Sequence, residues 1–171
     1  MRADQRTGLA LVLAFVALVA SGCGLFGDDD DGKGVSVFSA KPGQCFLAPK
    51  DVQAQISDLQ NVPCSTPHDR ELYATVQYAA PGAAASASAS STAAPVDSST
   101  YPGDDALKAY AEATCAQRFS AYVGVDYLDS SLFFTYLAPS PRSWQEDDRA
   151  VLCFASSAGK PLTKSVKGSK R

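Results

Sequence analysis

The sequence predicts an α+β fold: a small disulfide-stapled domain, one main helix packed on a mostly antiparallel sheet. Three observations predict it. Past Cys23 the chain holds four cysteines, Cys45, Cys64, Cys115 and Cys153, an even number suited to two cystines. The stretch from Asp104 to Gly124 carries apolar residues at steps of three and four. Short β-rich stretches lie on either side of it, and one, Glu71 to Tyr78, alternates residue by residue.

The chain opens with Arg2 and Arg6, then an unbroken apolar run of twelve residues from Leu9 to Ala20. A positive start, an apolar stretch and small residues before a cleavage point are the parts of a secretory signal, here 1–22. About 20 apolar residues are needed to cross a bilayer, so this run falls short. Ala20-Ser21-Gly22-Cys23 resembles a bacterial lipoprotein lipobox, with Ala20 where leucine is commoner. The resemblance implies diacylglyceryl attachment at Cys23 and a membrane partner held through the N-terminal lipid. Each buried CH₂ of such chains contributes about 0.8 kcal/mol. An ordinary export signal or an uncleaved anchor is the alternative. Residues 23–34 then read as a lipid-anchored acidic and glycine-rich spacer, because Asp28 to Asp31 beside four glycines cannot bury a core. A calcium loop would need alternating ligands and a distant bidentate glutamate, which this run lacks.

The domain proper is expected over 35–168. Val35 to Phe38 alternates weakly and opens it as a strand. The Pro42-Gly43 turn leads into the apolar Cys45-Phe46-Leu47. Asp51 to Leu59 sets Val52, Ile56 and Leu59 on one helical face, and is expected as a short helix or an irregular loop. Val62 to Glu71 then gathers Cys64, two prolines, the chain's only histidine (His68) and the charged Asp69-Arg70-Glu71. Pro67 disfavours helix at Thr66. In the strand that follows, Leu72, Ala74 and Val76 fall on one side and Tyr73, Thr75 and Gln77 on the other. Residues 79–100 are an Ala/Ser low-complexity insertion without the bulk to pack.

Asp104-Asp105 are the expected N-cap of the helix, with Leu107, Ala111, Cys115, Phe119 and Tyr122 as its apolar stripe and Gly124 as its terminator. Leu132 to Leu137 reads as a strand stopped by Pro139-Ser140-Pro141. Trp144 is expected in a turn as a core plug or loop anchor. Ala150 to Phe154 forms another strand, carrying Cys153, and Leu162 with Val166 a last one. Lys160, Lys164, Lys167, Lys170 and Arg171 meet no acid after Asp148, and are expected to form a solvated basic tail ending at 169–171. Contact with anionic envelope polymers or lipid headgroups is the alternative use of those charges.

Of 15 basic and 18 acidic residues, Arg2, Arg6 and Asp4 precede Cys23, leaving 13 against 17 and a net charge of −4 beyond it. General nucleic-acid binding, which needs a basic footprint, is excluded as the expected role. In an oxidising compartment the four remaining cysteines form disulfides. Three pairings exist and the sequence alone leaves them open. Cys45–Cys64 with Cys115–Cys153 is preferred, because the first closes a short loop between two strands and the second ties the helix to a strand. Loop entropy assigns them about 3 and 4 kcal/mol. The rival is a zinc site of Cys45, Cys64 and His68, which lacks a second closely spaced ligand pair.

An ordered set of motifs runs through the domain: Gly43-Gln44-Cys45-Phe46, Val62-Pro63-Cys64-Ser65, Pro67-His68-Asp69 with Glu71, and Tyr101-Pro102-Gly103. Cys115 before Phe119 and Tyr122-Val123-Gly124, Pro141 with Trp144, Asp148-Arg149, Cys153 and Leu162-Thr163 complete it. Together these resemble the septum formation domain of actinobacterial envelope proteins, over about 43–168. Two positions depart from that family: it usually has Asp where this chain has Gln44, and Gly where this chain has Asp147. The resemblance implies an extracytoplasmic, non-enzymatic domain associated with cell division or the envelope.

The residues themselves give an enzyme little support. His68 with Asp69 or Glu71 offers a base and its orienter, near the Ser65 hydroxyl. No Gly-x-Ser-x-Gly elbow and no second histidine accompany them. The structural alternative is a His68 that bonds backbone or Glu71, and an Asp148–Arg149 ion pair. The expectation is a binding or scaffolding lipoprotein on the outer face of the cell membrane, with no catalytic residue, metal or cofactor. Its expected binding surface is His68, Glu71, Trp144 and Arg149. Its partner is an envelope or division protein or a cell-wall polymer. The alternatives are an envelope hydrolase using His68 and a lipid- or solute-binding module.

Overall fold

The computed structural model describes residues 34–49, 56–79 and 99–171. The export segment, Cys23, the aspartate run, Val52 and the body of the insertion lie outside them. Six strands, β1 (Gly34–Ser36), β2 (Cys45–Phe46), β3 (Asp58–Val62), β4 (Arg70–Gln77), β5 (Leu132–Leu137) and β6 (Ala150–Ser157), form one sheet. Its order is β1-β3-β2-β4-β6-β5, with every pair antiparallel. The main helix, α1 (Asp104–Val123), lies on one face, and a five-residue helix, α2 (Pro141–Gln145), joins β5 to β6. Among the described residues no helix is long and apolar enough to cross a membrane. The predicted α+β architecture and both preferred disulfides are what the structure has.

The helix stripe becomes the core. Leu107, Ala111, Cys115, Phe119 and Val123 are buried. They meet Tyr73, Leu132, Val151, Cys153 and Ala155 from the sheet. The last inward residue is Val123, one beyond the expected Tyr122, which is half-buried. The expected Asp cap is corrected as well. Gly103 is the N-cap, with no side-chain bond, and Asp104 and Asp105 sit in the first turn, favourable at the positive end of the dipole. Gly124 ends the helix in the left-handed region, φ 89°, as expected of a C-terminal glycine.

Cys115 and Cys153 join across this core with Cα atoms 5.5 Å apart, linking the helix to strand β6. Cys45 and Cys64, Cα atoms 5.2 Å apart, link β2 to the residues just past β3. That second cystine helps explain a correction. Asp58 and Leu59, expected at the end of a short helix or irregular loop over Asp51 to Leu59, instead open strand β3, because it pairs with β1 on one side and β2 on the other. Tertiary pairing overrides the weak helical spacing of Ile56 and Leu59.

A bulge corrects the faces of β4. Leu72 pairs with Phe154 and Ala74 with Cys153, so Tyr73 is the extra residue. Leu72 therefore joins Phe46, Leu59, Leu152 and Phe154 on the face away from α1, while Tyr73 and Ala74 pack on the helix side. The strand expected from Leu162 and Val166 is also absent. Leu162 makes one isolated bridge with His68, and Val166 is buried in an irregular segment.

Two phenols, the buried Tyr73 and the half-buried Tyr122, make the fold sensitive to alkali. The Tyr73 hydroxyl donates to the Cys115 carbonyl at 2.8 Å, and burial raises it well above the usual phenol range. Tyr122 is raised too, first by burial and then by its hydrogen bond to, and the charge of, Glu71. A phenol whose folded value is raised contributes its stability fully below the unfolded value of about 10 and loses it as pH climbs toward the folded value. Denaturation between neutrality and pH ~11 is expected to show a flat stability that falls above pH ~10. The slope approaches about 1.4 kcal/mol per pH unit for Tyr73, and Tyr73→Phe flattens it.

Candidate functional site

The face of the sheet away from α1 carries a groove of about 510 Å³. Its floor is Leu137 from β5 and Ala150 and Leu152 from β6. One wall is the turn after β1, with Val37 and Phe38, together with Ile56. The other wall is α2, with Arg142, Ser143 and Glu146. A smaller cavity of about 250 Å³ shares Phe38, Glu146, Asp148 and Leu152 with it and extends to Asp147. Phe38 is 62% exposed, although apolar residues flank it below. Volumes of about 300–1,000 Å³ with an apolar lining and a few polar groups suit a ligand or an inserted side chain.

Local chemistry builds the α2 wall. Ser140 caps the helix by accepting from Ser143 N at 3.1 Å, while Ser143 Oγ accepts from Ser140 N at 2.9 Å, with Pro141 pre-set at the first helical position. The chain then turns sharply: Asp147 has φ 64°, and Asp148 N donates back to the Ser143 carbonyl at 3.0 Å. The Asp148 carboxylate accepts from Ala150 N at 3.0 Å and starts β6. Position 147, where the chain departs from the glycine of the family it resembles, thus needs the left-handed conformation. Asp147→Gly is expected to raise stability by about 0.5–1 kcal/mol. The partner it gives up is only the 3.7 Å contact to Arg149 from a fully exposed carboxylate. A thermal melt checks this.

The four residues expected to share a binding surface fall instead into two structural pairs, three of them buried. His68 is fully buried, with Nδ1 2.8 Å from the Thr66 carbonyl. A carbonyl only accepts, so Nδ1 donates this bond, and Nε2 has no partner among the described residues. Glu71 is fully buried and accepts from Tyr122 OH at 2.5 Å, Ser165 Oγ at 2.7 Å and Val166 N at 2.7 Å. Both residues therefore hold the C-terminal segment. The orienter role is not realised by either acid, since Asp69 accepts from Ala48 N at 2.6 Å.

Trp144 and Arg149 form the second pair. Trp144 is 2% exposed in the short helix α2, where a turn was expected. Its ring stacks edge-on with Tyr78 at 5.6 Å and Tyr101 at 5.7 Å, and its indole N–H donates to the Ser99 carbonyl at 3.1 Å. The Arg149 guanidinium lies 3.9 Å from the ring centroid and donates to the Trp144 and Asp148 carbonyls. Among the described residues the acid it pairs with is Asp147, while the expected Asp148 offers it only a backbone carbonyl. Tyr78 and Ser99 bracket the insertion, so Trp144 gathers both of its ends, as a loop anchor does. Tyr101, on the same clamp, is pushed up to about 12 by desolvation and by the hydrogen bond to and charge of Asp104. Replacing 80–98 with eight Gly/Ser residues is expected to change stability by less than about 1 kcal/mol, by denaturant titration.

The rival zinc set is not formed. Cys45 and Cys64 are bonded to each other, and the acid whose oxygen approaches their sulfurs is Glu71 rather than His68. The groove residues Phe38, Arg142 and Glu146 escaped the sequence reading. Phe38 stands alone between serine-rich neighbours, and nothing in the spacing joins it to residues a hundred positions away.

A family model described as septum formation matches residues 42–169. Neither a curated protein nor a solved structure matches the chain.

Proposed function

The chain belongs to the septum formation family, which links it to cell division and the envelope, and from that premise we propose a non-enzymatic, membrane-anchored binding lipoprotein. Cys23 carries the lipid and holds the domain on the outer face of the cell membrane. The groove beside Phe38 is the docking surface. A division or envelope protein enters it with an apolar side chain flanked by cations, because Glu146, Asp147 and Asp148 outnumber Arg142 and Arg149 around its apolar floor. The observation that carries this reading is Phe38, a large aromatic left exposed at the mouth of that cleft. The assignments of the histidine and of the acids beside it to structural bonds support a role without chemistry at His68.

The test follows a fluorescently labelled chain in dividing cells. Wild type is expected at the septum, Phe38→Glu spread around the envelope at equal abundance, and His68→Asn, which keeps the bond to Thr66, still at the septum. Loss of localisation in His68→Asn alone would favour the histidine. A lipid or small molecule co-purifying with wild type and absent from Phe38→Glu would favour the solute-binding alternative.

A further inference from the structure

We infer that the C-terminal segment presents a fixed row of cations to a linear, phosphate-bearing polymer. The row is Lys160, Lys164, Lys167, Lys170 and Arg171, all exposed. Among the described residues none of the five makes an ion pair. A basic chain end is ordinarily solvated, with its charges averaged over many positions. Here the segment is held at three places. His68 and Leu162 exchange both backbone bonds, at 2.9 and 2.7 Å. Glu71 takes Ser165 Oγ and Val166 N, and the N–H groups of Gly168 and Lys170 donate to the Tyr122 and Val123 carbonyls at 2.8 and 2.9 Å. Leu162 and Val166 are buried, so the anchors point inward and the cations outward. Lys170 is held at φ 53°, a conformation that a lysine adopts only where its surroundings impose it.

Part of this arrangement serves α1. Its last turn has no basic residue of its own, and the docked segment supplies donors to its open carbonyls and cations to the negative end of its dipole. Lys160 and Lys164 precede that region and are not needed for it. Steps of three and four residues along an extended chain place successive lysines about 10–14 Å apart or closer. Lysine is a point charge suited to phosphate oxygens. An anionic bilayer fits less well, because Asp28 to Asp31 lie between Cys23 and β1 and would be pressed against like charge. The row is separate from the groove, and its use does not depend on what the groove binds.

The experiment titrates the purified chain with long-chain inorganic polyphosphate over a range of salt. Parallel arms use inorganic monophosphate and vesicles of equal parts phosphatidylglycerol and phosphatidylcholine. Lys160→Gln/Lys164→Gln/Lys167→Gln is expected to weaken polyphosphate binding at least about tenfold and to flatten the salt slope by about 0.7 for each phosphate no longer neutralised. Its melting temperature should fall only slightly, because of the three only Lys167 lies by the end of α1, 5.9 Å from the Tyr122 ring. The charge-matched Lys41→Gln/Lys108→Gln/Arg118→Gln, on exposed positions elsewhere, is expected to bind like wild type. Equal weakening by both triple variants would show unspecific charge and overturn the proposal. No binding to polyphosphate, monophosphate bound as well as polyphosphate, or tighter binding to the vesicles would each do the same.

Discussion

Replacing Cys115 and Cys153 together by alanine is expected to remove about 4 kcal/mol from the unfolding free energy, enough to leave much of the chain unfolded at growth temperature. The bond spans 38 residues, from the buried face of α1 to strand β6 between β4 and β5, with both cysteines fully buried. Releasing it frees a long loop in the unfolded chain and leaves the helix held by packing and by the hydrogen bonds of Tyr73, Tyr122 and the C-terminal segment. Cys45→Ala/Cys64→Ala spans 19 residues at one end of the sheet and is expected to cost about 3 kcal/mol. Denaturant titration of both variants measures the two values. A loss below ~1 kcal/mol for the helix–strand pair would mean that the core is sufficient without its staple.

Glu71→Leu is expected to cost roughly 3–5 kcal/mol, because three donors aimed at one buried carboxylate lose their acceptor at once. The affected groups are Tyr122 OH, Ser165 Oγ and Val166 N, at 2.5–2.7 Å. The damage has a stated location. Hydrogen exchange should rise at Val166, Gly168 and Lys170, while the β4–β6 ladder keeps its protection. Glu71→Gln, which keeps one oxygen, should fall between wild type and leucine. If the Leu variant lost stability evenly over the whole domain, the carboxylate would be part of the general core and not the clasp of the chain end.

The staples and the clasp were differently visible in the sequence. Cysteine number and placement made the staples legible, since Cys115 sat on a clean apolar stripe and Cys153 in a continuous strand run. Glu71 was visible as a charged residue beside His68, but its partners lie 51 to 95 positions away and carry no spacing signal. A buried carboxylate is read from sequence as a surface charge, and that is why His68 and Glu71 looked like a binding surface. The β4 bulge was hidden for a related reason: alternation continues through Tyr73 on paper, and only the register against β6 shows the extra residue. Trp144 was readable as an anchor because a lone tryptophan between a proline-rich stop and a strand has few other uses. The groove was not readable at all, because its walls come from the first strand's turn and from α2, which the fold alone brings face to face.

Photocrosslinking in dividing cells tests most directly the proposal that the working surface lies at Phe38 and not at His68. A photoreactive phenylalanine analogue is placed at position 38, at the exposed Phe133 on strand β5, or at Thr66 beside His68. A discrete adduct with a division or envelope protein is expected from position 38, and none from 133 or 66. An adduct from position 66 with none from 38 would contradict the assignment of the working surface to Phe38.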